Sequence, residues 1–240
     1  SLYMQAKTKR LKKLQAKELE KERISKALVF SQLENLRSQM NPHFIFNALN
    51  SIQDYIILNE KKLARQFLVK FSRLIRIYLE HSQETNITLE DEIKALKLYL
   101  ELEKDRFNDD LIFSITIDKN IRTQTTYVPS LFIQPYVENA LKHGLLHKVN
   151  NKILNLSFTL NPSKTKIRCV IDDNGIGRAA SEKIKSRIQL PKSFATQANQ
   201  KRIDLINSTN SEKIEIEIED KKDSNNNPEG TRVIIKIPIQ

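Results

Sequence analysis

The apolar positions of the chain fall into two regimes that meet near residue 108. In the first, the spacing is helical. Residues 5–40 are rich in Lys, Glu, Gln, Leu and Ala and hold no Gly or Pro, a composition of strong helix formers. Leu11, Leu14, Ile24, Leu28, Leu36 and Met40 recur at helical intervals with charge between them. The seam is interrupted, so it supports a signalling coiled coil over 1–32 only weakly. Asn41-Pro42 is expected to kink the helix, because proline lacks the backbone donor and collides with the preceding turn. The pattern resumes through Phe44, Ile45, Leu49, Ile52 and Ile56. After a turn at Asn59-Glu60, a second amphipathic helix is marked by Leu63, Phe67, Leu68, Phe71, Leu74, Ile75 and Tyr78. Two long helices joined by a short turn predict an antiparallel hairpin with an open apolar face. Pairing two hairpins into a four-helix bundle covers that face, so a homodimer is the expected state.

Thr88-Leu89-Glu90-Asp91 has the form of a helix N-cap with an acid three residues on, opening a helix to about Phe107. Beyond it the second regime begins. Leu111 to Asp118 alternates as a strand does, residues 130–143 predict a helix, and 152–160 and 165–172 predict strands. A long irregular segment over 174–198 precedes a short helix near 199–207. Two closing strands, 212–219 and 231–239, are split by the polar turn Lys221 to Gly230. The expected fold class is α plus α+β: an α-helical domain followed by an α+β sandwich, with a boundary near residue 108.

Composition narrows the classes. With 39% hydrophobic and 29% charged residues, the 240-residue chain has a globular profile. No stretch approaches 18 consecutive apolar residues. The start, Ser1-Leu2-Tyr3-Met4, reads as a cut end, and a membrane or sensory part is expected ahead of it, leaving this part in the cytoplasm. A single cysteine, Cys169, excludes a disulfide framework within the chain and fits a reducing compartment. The formal charge of +11 suggests nucleic acid, but its distribution argues otherwise. Residues 1–27 hold nine Lys/Arg against three acids, and residues 178–202 hold seven against one. The remainder is near neutral, and a basic helix is also what lies just inside a membrane. Direct nucleic-acid binding is therefore not expected.

Only four glycines occur, Gly144, Gly175, Gly177 and Gly230, which excludes a Walker-A loop or a GxGxxG fingerprint. Asp172-Asp173-Asn174-Gly175-Ile176-Gly177 follows a strand, and its glycines let backbone approach a ligand. A carboxylate there can accept a hydrogen bond from an exocyclic amine. The same run is also a good tight turn. Upstream, in Pro129-Ser-Leu-Phe-Ile-Gln-Pro-Tyr-Val-Glu138-Asn139-Ala-Leu-Lys142-His143-Gly144, helical spacing puts Asn139, Lys142 and His143 on one face. An amide oxygen beside two cationic groups suits Mg²⁺ with a triphosphate, although Lys and His beside an apolar stripe also describe a solvated helix face.

These two segments, in this order, resemble the N box and first glycine box of the GHKL ATPase superfamily. The form Gln-Pro-Tyr-Val-Glu-Asn-Ala-Leu-Lys-His-Gly is similar to that of the LytS/YehU-type sensor histidine kinases. So is Leu36-Arg-Ser-Gln-Met-Asn-Pro-His-Phe-Ile-Phe-Asn-Ala-Leu-Asn50, which resembles the phosphoacceptor motif of that family. Thr88 to Phe107 looks like its connecting helix, and Gly230-Thr231 precedes the last strand as in the family. The resemblance covers residues 33–240. It implies a Bergerat-type ATP-binding sandwich and a sensor kinase of a two-component system, with His43 as phosphoacceptor and Asn139 on Mg²⁺. Lys142 and His143 would face the ATP phosphates. Asp173 would recognise adenine, Gly175 and Gly177 would give backbone access, and Thr231 would support the pocket from its strand. Residues 174–201 would form the ATP lid. The implied partner is a response regulator of the LytTR DNA-binding type, phosphorylated on an aspartate. Taken without the resemblance, His43 reads as a capping or packed histidine after Asn-Pro.

The chain also departs from related patterns. Phe44 follows His43 where many histidine kinases carry an acid, so the general base is unassigned. Pro135 stands one helical turn before Asn139, where related ATPases carry their base. In Ser193 to Arg202, the counterpart of a second glycine box, Ala195 replaces a glycine. That substitution motivates a rival reading, a nucleotide-binding dimeric scaffold without kinase activity. His143 and His147 have zinc-ligand spacing but lack the intervening glutamate of a zincin.

Overall fold

Proline opens a helix more readily than it continues one, because the first turn has no use for its missing donor. Pro42 is the first residue of α1 (Pro42–Ile57). The computed structural model describes Gln15, Glu18 and residues 42–107, 110–188, 203, 204, 206, 207 and 212–239, with side chains at 42, 43 and 185–188 excepted. The expected kink at Asn41-Pro42 and most of the helix over 5–40 therefore lie outside the described residues. By contacts the chain divides into Ser1–Pro42 and His43–Gln240, and only the second is described in detail.

Phe44 and Ala48, one helical turn apart, form the buried stripe of α1. Asn59 makes the turn in the left-handed region at φ 58, a conformation an asparagine tolerates better than most residues. Helix α2 (Lys61–His81) buries Ala64, Phe67, Leu74 and Tyr78 along one stripe. Phe44 meets Phe71, and Tyr55 meets Phe67, each pair with ring centroids 6.1 Å apart. The opposite faces leave Phe46, Leu49, Ile56, Leu68 and Val69 exposed.

The N-cap read from the sequence is present in α3 (Leu89–Arg106). Thr88 Oγ1 accepts the Asp91 N–H at 3.1 Å and donates to Asp91 Oδ2 at 2.7 Å. Acids in the first turn and Lys104 and Arg106 in the last complement the helix dipole. Just ahead of α3, β1 (Asn86–Thr88) pairs antiparallel with β3 (Tyr127–Pro129). This three-residue ladder is too short to leave a periodic signal in the sequence. Glu92 is buried in α3 and accepts the N–H groups of Leu131 and Ile133, each at 3.0 Å. The Ser130 hydroxyl donates to the His81 carbonyl at 2.6 Å. Packing is thus continuous across residue 108.

One mixed sheet carries the C-terminal half, in the order β2-β4-β5-β7-β6. Strand β2 (Leu111–Ile117) runs parallel to β4 (Lys152–Leu160). Strands β5 (Lys166–Asp173), β7 (Pro228–Pro238) and β6 (Glu215–Lys222) continue antiparallel. Strand alternation puts Leu154, Leu156, Phe158, Ile167, Cys169, Ile171, Ile235 and Ile237 inside. The other face carries ion pairs such as Lys236–Glu217 and Lys166–Glu215. Burial pushes the Cys169 thiol far up, as expected of a structural cysteine. The fold is α plus α+β, as the pattern predicts.

Three local readings are corrected. The helix expected over 130–143 begins later, as α4 (Gln134–Asn139) with Pro135 in its first turn. It then widens into a π-helical segment, Ala140–Leu145, closed by Leu146 N–H to the Leu141 carbonyl at 2.8 Å. The first part of the segment expected to be irregular is helix α5 (Arg178–Ile188). Its Ala-Ala-Ser-Glu-Lys composition favours helix once Gly177 is passed. The second glycine box, including Ala195, lies outside the described residues. Residues 203, 204, 206 and 207 are helical, where a helix near 199–207 was expected. Among the described residues no helix is long and apolar enough to cross a membrane.

Candidate functional site

Strand alternation separates two adjacent aspartates at the end of β5. Asp172 faces the charged side of the sheet, where Lys221 Nζ lies 2.5 Å and Arg232 Nε 2.7 Å from its oxygens. Asp173 faces inward and is 3% exposed. Among the described residues, its Oδ1 accepts backbone N–H groups, from Gly175 at 2.8 Å and Thr231 at 3.3 Å. Burial pushes the Asp173 carboxyl up to about 6, against the pull of those two N–H groups. One aspartate is thus paired directly with cations, while the other is an inward carboxylate held by backbone N–H groups.

The four glycines of the chain lie about the end of β5, each at a close approach of backbone to a neighbouring group. A Cβ on Gly144 would stand 2.8 Å from Asp173 Oδ1, and one on Gly175 would stand 2.6 Å from the Gly144 carbonyl oxygen. One on Gly230 would overlap the Asp173 carbonyl. Gly177, at φ 77, comes within 3.0 Å of the Pro228 side chain in the same sense. Ile176 N–H closes the turn on the Gly144 carbonyl at 3.1 Å. Asn174 anchors the other side, its side chain accepting from Ile153 N at 2.8 Å and donating to the Asn151 carbonyl at 2.8 Å. Lys148 Nζ donates to the Asn174 carbonyl at 2.6 Å.

Gly230 needs its hydrogen most, since it also sits at φ 111. A Gly230→Ala variant combines left-handed strain with overlap on a strand carbonyl. We expect it to lose about 3 kcal/mol or more of stability, read as a fall in the urea midpoint at unchanged slope.

Asn139 ends α4, and Lys142 and His143 lie in the π-helical segment; all three are half-buried. That segment packs on β5 and β7, so it delivers Gly144 against Asp173 directly after His143. The wider i,i+5 winding changes the face read from α-helical spacing, and such π-segments are frequent at functional sites. Glu138, beside Asn139, takes a 2.6 Å hydrogen bond from Gln134 Nε2. Burial pushes Glu138 up to about 7, with Glu103 adding to the rise.

The structure therefore brings Asp173, Gly175, Gly177 and Thr231 together, with Asn139, Lys142 and His143 on the adjoining segment. His43 is not among them: it occupies the first turn of α1. Two participants had no assigned role in the sequence reading, Gly144 and Gly230. The signal that could have found them is the scarcity of glycine itself. Among the described residues no group of three or more His, Cys, Asp or Glu side chains converges as a metal cage. The donor set fits a hard cation that takes one amide oxygen and draws its other ligands from a bound phosphate chain.

Residues 31–111 match the family model described as histidine kinase. Over 158 residues the chain is 33% identical to the sensor histidine kinase/phosphatase LytS of Staphylococcus aureus strain MRSA252, covering 66% of this chain and 26% of that protein. Identity and coverage are the same for LytS of strain Mu50. The chain thus spans about a quarter of the length of the curated relatives it matches. Among solved structures it is similar to the mycobacterial sensor histidine kinase MprB, with a TM-score of 0.42 and 18% identity over 65% of this chain and 97% of that one. It is also similar to the histidine kinase domain of the Erythrobacter litoralis EL346 blue-light activated histidine kinase. There the TM-score is 0.45 and the identity 12%, over 83% of this chain and 96% of that one.

Proposed function

We propose that this chain, related to the histidine kinases through residues 31–111 and to the LytS sensor kinases/phosphatases over 158 residues, is the ATP-dependent kinase core of a two-component sensor. The observation that carries the reading is the inward Asp173 carboxylate, packed against Gly144 and held by the Gly175 N–H, in a turn whose backbone approaches only glycines permit. Such a cradle admits a flat, amine-bearing ring edge at close backbone range, and the carboxylate accepts its exocyclic N–H. Thr231 holds the carboxylate from β7 through its N–H. Lys142 and His143 would lie toward the phosphates and Asn139 toward Mg²⁺, which supplies charge neutralisation at the γ-phosphoryl group.

His43 is the acceptor. A neutral imidazole nitrogen is nucleophilic near pH 7 and attacks the γ-phosphorus. The bond from phosphorus to the bridging oxygen breaks, ADP leaves with that electron pair, and the phosphorylated imidazolium gives up its N–H proton to water. Positioning and charge neutralisation supply most of the acceleration. The phosphoryl group then passes to an aspartate of a response regulator, of the LytTR type by the family resemblance. The exposed Phe46, Leu49, Ile56, Leu68 and Val69 support a homodimer closed by a four-helix bundle. The working division is a signalling helix over 1–32, a dimerisation and phosphotransfer domain over 33–107 and an ATP-binding domain over 108–240. The protein would act at the cytoplasmic side of a membrane through a preceding part.

Incubation with γ-labelled ATP and Mg²⁺ is expected to leave acid-labile, base-stable label on the chain. ADP binding without any label would overturn the kinase reading in favour of a nucleotide-binding scaffold.

A further inference from the structure

Helix α3 touches both halves of the reaction proposed above. Toward the acceptor, Phe44 follows His43 in the chain and is buried. Its ring centroid lies 5.0 Å from that of Tyr99 on α3, at an interplanar angle of 50°, and 6.1 Å from that of Phe71 on α2. Both distances fall in the range of favourable aromatic pairs. Tyr99 is itself 4% exposed. Helices α2 and α3 are tied directly by the Lys70–Asp105 ion pair at 3.0 Å. Toward the nucleotide, Glu92 of α3 receives the two N–H groups that lead into α4 and Asn139. Glu92 and Tyr99 are seven residues apart, about 10 Å along one helix.

The acceptor and the candidate metal ligand are thereby referenced to a single rigid element. A buried carboxylate accepting two backbone N–H groups permits little play at one end. The aromatic seat fixes the other. Phe44 directly follows His43 in α1, so seating Phe44 sets the rotation of the acceptor turn about its axis.

We propose that α3 is the strut that presents His43 to the nucleotide, with Phe44 and Tyr99 as positioning residues for the phosphoryl transfer. The proposal rests on the kinase reading. It also gives a role to the position where many histidine kinases carry an acid: an apolar anchor there sets acceptor geometry and takes no proton.

The test compares Phe44→Ala, Phe44→Leu, Tyr99→Ala and the Phe44→Ala/Tyr99→Ala double variant. Loss of the seat is expected to slow single-turnover label incorporation by about 10- to 100-fold, while calorimetric affinity for ADP stays within about twofold. Phe44→Leu, which keeps apolar volume, should recover most of the rate. The double variant should be no slower than the slower single one, because the two rings share one contact. Wild-type rates in Phe44→Ala, independent losses in the double variant, or a parallel loss of ADP affinity would each overturn the proposal.

Amide hydrogen exchange over residues 44–48 provides a readout that needs no catalysis. Exchange should quicken about tenfold in both alanine variants. If the wild type binds ADP but takes no label, the kinase reading fails on its own. Exchange then decides whether α3 holds α1: unchanged protection in both variants sinks the strut as well.

Discussion

Replacing His43 with glutamine is expected to abolish acid-labile label from γ-labelled ATP and to leave ADP affinity unchanged. Glutamine keeps hydrogen-bonding groups at a similar reach, but its amide nitrogen lone pair is delocalised into the carbonyl and cannot attack phosphorus. Incorporation is expected below about 1% of wild type, since no partial substitute for a covalent acceptor exists at that position. Binding is insulated because His43 occupies the first turn of α1, whereas the glycine cradle is built from β5, β7 and the π-helical segment. The chain has three other histidines, His81, His143 and His147. Label retained in His43→Gln would transfer the acceptor role to one of these. His81 would be tested first, because it ends α2, the partner helix of the hairpin.

The second large effect separates binding from folding at one residue. Asp173→Asn is expected to weaken nucleotide binding on the order of a hundredfold, the loss of a buried charge-assisted acceptor. It should nonetheless raise the melting temperature of the ligand-free protein. Asparagine keeps an oxygen for the Gly175 and Thr231 N–H groups but carries no charge into the cradle. The Asp173 carboxyl is raised from 3.8 to about 6 because burial penalises its ionised form. A group with a raised folded-state value holds its proton more tightly when folded. It therefore favours folding most below pH 4, and that contribution is lost as pH climbs to about 6.

Above that pH the folded chain carries a buried carboxylate whose charge its two N–H donors only partly offset, at a cost of roughly 1–3 kcal/mol. The asparagine variant escapes this cost, and for a chain of this size each kcal/mol is worth about 2–4 °C. Its advantage should be full at pH 7.5 and should narrow as pH falls from 6 toward 4. Thermal melts across that range, paired with ADP calorimetry, check both halves. A lower melting temperature with unchanged ADP affinity would make Asp173 a structural turn residue and remove the basis of the site. The expected combination, stability gained as affinity is lost, is a trade common where a fold strains to hold a ligand.

Local physics determined much of this protein from sequence alone. Helix α2 and the strands β2, β4 and β5 follow from period and alternation, because each buries one face against whatever lies beside it. The cap at Thr88 was legible because its bonds span only three residues. The segments around Asn139 and Asp173 could be singled out for the same reason: their residue types sit within a few positions of one another.

The tertiary structure decided everything that depends on residues far apart in the chain. Asp173 is distinguished from Asp172 by Lys221 and Arg232, which return to β5 from about 50 and 60 residues later. Gly144 and Gly230 acquire their role only where β7 and the π-helical segment meet Asp173. Glu92 reads as one acid among several in the first turn of α3 until Leu131 and Ile133 present their N–H groups to it. Phe44 reads as one apolar position among many until Tyr99 closes on it. Periodicity reports that a side chain is buried, and only the folded arrangement of distant segments decides what it is buried against.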